Sequence, residues 1–150
     1  MGVSVSIMDQ SSPKYQQVWD LREAMLRTPL GLSLKNEDLS RDNINTVFIA
    51  ELDEKVVGCV LMEPKNAETV QLRAMAVYNE QQGKGVGRLL VQALEQHAAR
   101  SGYKKIILHA RKVVLGFYKS MDYQQVGEEF VEVGIPHYHM EKALNLDSVD

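Results

Sequence analysis

Gln82-Gly83-Lys84-Gly85-Val86-Gly87 decides how this chain reads, because the glycine-rich run lies between two segments of different periodicity. Before it, Val70, Leu72, Ala74 and Ala76 alternate with Gln71, Arg73, Met75 and Val77 along Thr69 to Tyr78, the two-residue repeat of a strand. Both sets are largely apolar, which predicts a strand covered on both faces at the centre of a sheet. After it, Leu89, Leu90, Ala93, Leu94, His97 and Ala98 share one helical face, with Arg88, Gln92, Glu95, Gln96 and Arg100 opposite, and Gly102 sits where a helix ends on glycine. A strand, a glycine turn and a helix together aim free backbone N–H groups at an anion. Two common versions of that arrangement fail on the letters. No Gly-Lys is followed by Ser or Thr, as a Walker loop requires, and Leu90 stands where a dinucleotide fingerprint needs its last glycine. Taken alone, the loop also reads as a capping turn without a ligand.

Working outward, Val47 to Leu52 and Val56 to Met62 flank Asp53-Glu54 as a hairpin, and Thr69 to Tyr78 makes a third consecutive antiparallel strand. Val3 to Ile7 reads as a first strand. Ser12-Pro13 reads as a helix start with Pro at the first helical position, and Val18, Leu21 and Met25 line one face of that helix up to Thr28-Pro29. Leu30 to Ile44 has no clear period. Beyond the long helix, Lys105 to Ala110 reads as a strand, Val113 to Met121 as a short helix, and Gln124 to Glu132 and His137 to Ala143 as closing strands. The expectation is an α+β protein with a mixed, mainly antiparallel central sheet flanked by helices. No repeat or linker divides the sequence, so residues 1–150 read as a single domain with a tail at 145–150.

At 150 residues and 45% hydrophobic content the chain is large enough for a core without disulfides or a structural metal. It has no apolar run of membrane-spanning length and no export leader, so a cytoplasmic protein is expected. A net charge of -3 without a basic stripe argues against nucleic acid as a partner. Cys59 is the sole cysteine, and no Cys/His set has zinc spacing, so no metal is expected.

The spacing Gln82-x-x-Gly85-x-Gly87 resembles the Arg/Gln-x-x-Gly-x-Gly/Ala signature of the GNAT superfamily of N-acetyltransferases. Gly116-Phe117-Tyr118-Lys119 followed by Met121-Asp122-Tyr123 resembles a later motif of the same family, with Asp122 where glycine is usual. Asp tolerates a left-handed turn better than most residues, so the turn is expected to survive. The resemblance spans nearly the whole chain and implies the acyl-CoA N-acyltransferase fold, with acetyl-CoA as cosubstrate. It implies that the strand holding Met75, Ala76 and Val77 offers backbone groups to the pantetheine. Gln82, Gly83, Lys84, Gly85, Val86, Gly87 and Arg88 would grip the pyrophosphate. It also suggests a homodimer.

A closer resemblance is to the glyphosate N-acetyltransferase branch, carried by Leu21-Arg22 through Leu26-Arg27, Gln71 to Ala76, Ala110-Arg111, Phe117-Tyr118-Lys119 and Gly134-Ile135-Pro136-His137, the last with Ile135 inserted. It implies that Arg27, Arg73 and Arg111 hold a small anionic amine, amino-acid-like, phosphorylated or phosphonate, and that His137 is its base. Physical chemistry supports both roles, since an arginine inside a sheet needs an anion and a base for an ammonium should titrate near neutrality. The residues themselves leave internal acids open as arginine partners, and His139, two positions on, faces the same side as His137. Arg22 reads as a helix-surface or structural ion pair, His97 as packed on its helix and His109 as a strand residue beside Arg111. The implied route is direct attack, with Tyr118 protonating the departing CoA sulfur and backbone N–H near Met75 meeting the oxyanion. An acetyl-Cys59 intermediate is disfavoured, because nothing nearby activates the thiol. A peptide N-acetyltransferase and a non-catalytic acetyl-CoA-binding regulatory module remain the alternative functions.

Overall fold

The computed structural model describes residues 2–144, so the tail read at 145–150 lies outside the described residues. Seven strands form one sheet: β1 (Ser4–Met8), β2 (Thr46–Leu52), β3 (Lys55–Pro64), β4 (Thr69–Val77), β5 (Lys105–Arg111), β6 (Gln124–Glu132) and β7 (Ile135–Ala143). Their spatial order is β1-β2-β3-β4-β5-β7-β6, which puts β4 at the centre. Only β4 and β5 run parallel, joined through α2 (Val86–Arg100); every other neighbouring pair is antiparallel. The α+β reading with a mixed sheet therefore describes the fold.

Helices cover the sheet from opposite sides. On one face, Val86, Leu90, Val91, Leu94 and Ala98 of α2 bury against Val60, Met62, Leu72 and Leu108, and Tyr118 of α3 (Leu115–Ser120) joins the same cluster. Leu89, expected on that buried face, is exposed, and Val91 takes its place: the helix begins at Val86, whose own burial rotates the apolar stripe. On the other face, Val18 and Leu21 of α1 (Tyr15–Arg22) meet Val47, Ile49, Cys59 and Leu61. Pro13 lies in a turn rather than at the first helical position; Ser12 Oγ accepts from Lys14 N at 3.1 Å, and α1 starts at Tyr15. Arg22 is buried, not on the helix surface.

The glycines that matter are few. Asp53 and Glu54 turn the β2–β3 hairpin at φ 52° and 68°, and Asp122 adopts φ 72°, so the left-handed turn expected there survives without glycine. Gly58 on β3 lets α2 lie close: a Cβ there would stand 3.1 Å from both Leu90 Cδ1 and Val86 Cγ1. Gly58→Val is expected to lower the unfolding free energy by about 1–3 kcal/mol through overpacking, measured as a shift in urea midpoint.

Candidate functional site

The site originates in an irregularity of β4. Leu61 pairs with Arg73 and Cys59 with Ala76, so β4 carries one more residue than β3 between those points, and Ala74 sits at φ 54°. This is a bulge with a left-handed alanine, and Cys59 Sγ donates to the Ala74 carbonyl at 3.5 Å. The bulge bends β4 away from β5. The two strands pair from Thr69 to Leu72, and Arg73 to Val77 find no partner strand on that side. A parted central sheet thus leaves a row of backbone groups open along β4.

A cleft of about 490 Å³ occupies the gap. Met75, Ala76, Val77 and Gln82 form one wall, Phe117 and Tyr118 approach from the α2–α3 side, and Arg27, Arg73, Arg111 and His137 approach from the α1 side. The register explains the second group. Arg111 pairs with His137, His109 with His139, and His137 with Phe130, so these side chains share one face of β5, β7 and β6. Arg27 is delivered by a π-helical turn, Glu23–Arg27, that continues α1. Glu23 anchors the segment lying over the cleft by accepting from Ser33 Oγ at 2.6 Å and Leu34 N at 2.8 Å, and Leu34 is buried in the cleft wall.

The three arginines are not equivalent. Arg27 makes a two-pronged pair with Glu37, at 2.6 and 3.3 Å, and Arg73 Nη1 lies 3.5 Å from Glu63. The internal-acid alternative raised by the residues alone is therefore present at both. Arg111 donates to the Leu26 carbonyl at 3.0 Å, and among the described residues no carboxylate lies within ion-pair distance of it. Burial, then the neighbouring Arg27 charge, pulls the Arg111 guanidinium below its ordinary proton affinity, against a smaller opposing effect of Glu132.

His137 is 3% exposed, whereas His139 is exposed, stacks on Phe130 and does not line the cleft. His137 Nδ1 lies 2.9 Å from the Ile135 carbonyl, which can only accept, so Nδ1 carries the proton and Nε2 is the basic atom. The inserted Ile135 pairs with Glu132 across a two-residue turn, Val133 and Gly134 at φ 46° and 79°. Tyr118 is buried edge-on between Phe117 and Tyr123, and burial raises its phenol well above the ordinary value, so it is protonated at neutral pH. His97 meets Phe48 edge-on, away from the cleft.

Of the glycine loop, Gln82 lines the cleft and its Nε2 donates to the Val77 carbonyl at 2.9 Å, while Gly83 to Arg88 lie beyond the lining. Gly83 and Gly85 take φ of 79° and 83°, and Gly85 caps α2 without a side-chain bond. No acidic residue lies in the first turn of α2, so its open N–H groups face no local negative charge. Val86 contributes only backbone here, since its side chain is in the core. Arg88 Nη2 donates to Ser120 Oγ at 3.3 Å, tying the helix start to α3. Glu132 and His109, which sequence reading did not place in the site, also line the cleft; no local pattern marks them, because they converge only through strand pairing.

Among the described residues no group of His, Cys, Asp or Glu is arranged to hold a metal ion, and no helix is long and apolar enough to cross a membrane. The sequence profile of the family described as an Acetyltransferase (GNAT) domain matches residues 13–144. The chain is similar to the uncharacterized N-acetyltransferase YjcF of Bacillus subtilis, 26% identical over 138 residues, which cover 91% of this chain and 98% of that protein. It is also similar to N-acetyltransferase 8B of Homo sapiens, 33% identical over 94 residues, 57% of this chain and 41% of that protein. YjcF apart, the chain spans about half the length of the first curated relatives it matches. A GNAT family acetyltransferase from Elizabethkingia anophelis, solved with acetyl-CoA bound, superposes with a TM-score of 0.74 at 17% identity, over 95% of this chain and 98% of that one, a likeness of fold. The profile match runs from the turn before α1 to the end of β7, across the parted β4–β5 pair and the glycine loop, and this chain belongs to the GNAT acetyltransferase domain family.

Proposed function

We propose that this protein is an acetyl-CoA-dependent N-acetyltransferase acting on a small amine that carries a carboxylate, phosphate or phosphonate. The observation that carries the substrate class is Arg111, a half-buried guanidinium at the cleft wall that has no carboxylate within ion-pair distance among the described residues and feels Glu132 only as a weaker, more distant charge. A planar fork of donors in that position suits an oxyanion of the substrate. Arg27 and Arg73 add positive potential, but Glu37 and Glu63 already pair with them, so Arg111 is assigned the anchoring contact.

The residues present fit acetyl-CoA. The open edge of β4 at Met75, Ala76 and Val77 offers backbone partners for an amide-bearing arm, and the loop from Gln82 to Arg88 with the first turn of α2 offers N–H groups for a pyrophosphate. When bound, acetyl-CoA supplies the activated acetyl group, and direct transfer to the amine releases CoA thiol. His137 Nε2 takes the proton that the substrate ammonium must lose before its nitrogen can form the new C–N bond. Tyr118, held as a phenol by burial, gives its proton to the sulfur as the C–S bond breaks, and the second proton that the nitrogen sheds on becoming an amide restores the phenol. Backbone N–H beside the bulge at Ala74 and Met75 is assigned to the developing oxyanion, because β4 has no partner strand on the β5 side there. Cys59 plays no part: it is wholly buried, and burial pushes its thiol up to about 12.

Release of CoA thiol is the assay, run with L-aspartate, O-phosphoserine, 2-aminoethylphosphonate, a short peptide and spermidine. Turnover is expected on the anionic amines, with Arg111→Ala lowering kcat/KM by about 10–100-fold while acetyl-CoA binding is retained. Turnover confined to the peptide or spermidine would overturn the substrate class, and acetyl-CoA binding without turnover on any amine would favour a regulatory module. Tyr118→Phe is expected to lower kcat about 100-fold or more at unchanged acetyl-CoA affinity; unchanged turnover removes it from the mechanism. Cys59 should stay unlabelled by iodoacetamide at pH 8 in the native protein and react on unfolding, whereas rapid native labelling would reopen a covalent route.

A further inference from the structure

His109, Glu132 and His137 come from three strands and meet in the cleft. Glu132 Oε1 lies 2.9 Å from His109 Nδ1, and its Oε2 lies 3.7 Å from His137 Nε2. One carboxylate therefore bridges two imidazoles, one of which is buried. The register makes the arrangement definite: Glu132 is opposite Ile135, two residues before His137, and His137 is opposite both Arg111 on β5 and Phe130 on β6. The His109 ring is further braced edge-on against Phe130 at 5.2 Å and His139 at 4.7 Å.

This geometry answers an electrostatic problem in the proposed reaction. A base at His137 becomes an imidazolium directly across from the Arg111 guanidinium, in a cleft that Arg27 and Arg73 also line. Like charges opposed on neighbouring strands repel, and the repulsion is strongest where water is excluded. Glu37 and Glu63 are engaged with Arg27 and Arg73, which leaves Glu132 as the carboxylate in ion-pair range of His137. We propose that Glu132, clamped by His109, is the positioning residue that stabilises the His137 ring once Nε2 has accepted the substrate proton. The inference rests on His137 being the base.

The charges balance at each step. The substrate ammonium gives one proton to neutral His137, which then holds a proton on each ring nitrogen; the amine becomes neutral, and Glu132 remains a carboxylate throughout. The ring must lose that proton before the next turnover. The Glu132 side chain is 43% exposed where that of His137 is 4% exposed, so the pair lies at the border of the buried wall and solvent. Arg22, Arg27, Arg73 and Arg111 are the cationic side chains lining this cleft and Glu132 is its carboxylate, with His109 and Tyr118 the remaining titratable groups of the lining.

Glu132→Gln keeps size and hydrogen bonding and removes the charge. It is expected to lower plateau kcat about tenfold, to leave KM for acetyl-CoA and O-phosphoserine within about twofold, and to displace the acid limb of the kcat profile towards lower pH. The sign follows from the charge: without the carboxylate the neutral ring persists to lower pH but is a weaker base. Glu132→Asp should recover part of the loss. A pH profile superimposable on the wild type overturns the proposal. So does a raised amine KM at unchanged kcat, which would mean that Glu132 binds the substrate ammonium itself. Imidazole NMR titration of His137 without substrates reads the same coupling independently of turnover, and an unchanged midpoint in Glu132→Gln overturns it. His137→Ala with wild-type turnover would refute the base instead, leaving the NMR result to decide the contact.

Discussion

The left-handed backbone at Ala74 is the constraint on which the rest of the molecule depends. One extra residue in β4 ends its pairing with β5 after Leu72, and the sheet, otherwise continuous from β1 to β6, parts at its centre. A parted sheet would normally collapse onto its own apolar faces. Here a single core cluster joins α2 to strands of both halves, from Phe48, Val60 and Leu72 on one side to Ile106, Leu108 and Met140 on the other. Cys59 Sγ on the Ala74 carbonyl is a small part of that support, and it accounts for a wholly buried cysteine that takes no part in the chemistry.

Opening the sheet solves a problem of reach. Arg111 and His137 lie on the face towards α1, and Tyr118 belongs to the core on the face towards α2. An intact sheet would separate them by its own thickness, and the gap through it brings both to one cleft, as the proposed base and proton donor require. The same gap exposes the β4 edge as a run of backbone hydrogen-bonding groups, and the glycine loop continues that run towards the start of α2. In the proposed reaction, binding and chemistry would both be served by one defect in an otherwise regular element.

Much of this was legible in the sequence. Alternation along Thr69 to Tyr78 placed a central strand, and the hairpin at Asp53-Glu54, the helix ending before Gly102 and the turn at Asp122 follow from local chemistry. The misreadings have equally local causes. Pro13 suggested a helix start, yet the Ser12 hydroxyl closes a turn on Lys14 first, and of the two readings of Arg22, helix surface or structural ion pair, its burial removes the first. Leu89 and Val91 exchange roles because α2 starts at the residue whose burial against Gly58 sets the helix rotation.

By itself the sequence determined the order of strands and helices, the anion-seeking glycine turn and a short roster of arginines, histidines and one tyrosine, since periodicity, caps and turns act over a few residues and leave their mark in the letters. Only the tertiary structure decided how those residues divide their work. It paired Arg27 with Glu37 and Arg73 with Glu63, left Arg111 without an ion-paired carboxylate among the described residues, buried His137 while exposing His139, and brought Glu132 between two histidines. The physical reason is that charge pairing and burial depend on separations of a few ångströms between residues far apart in the chain, and strand register sets those separations.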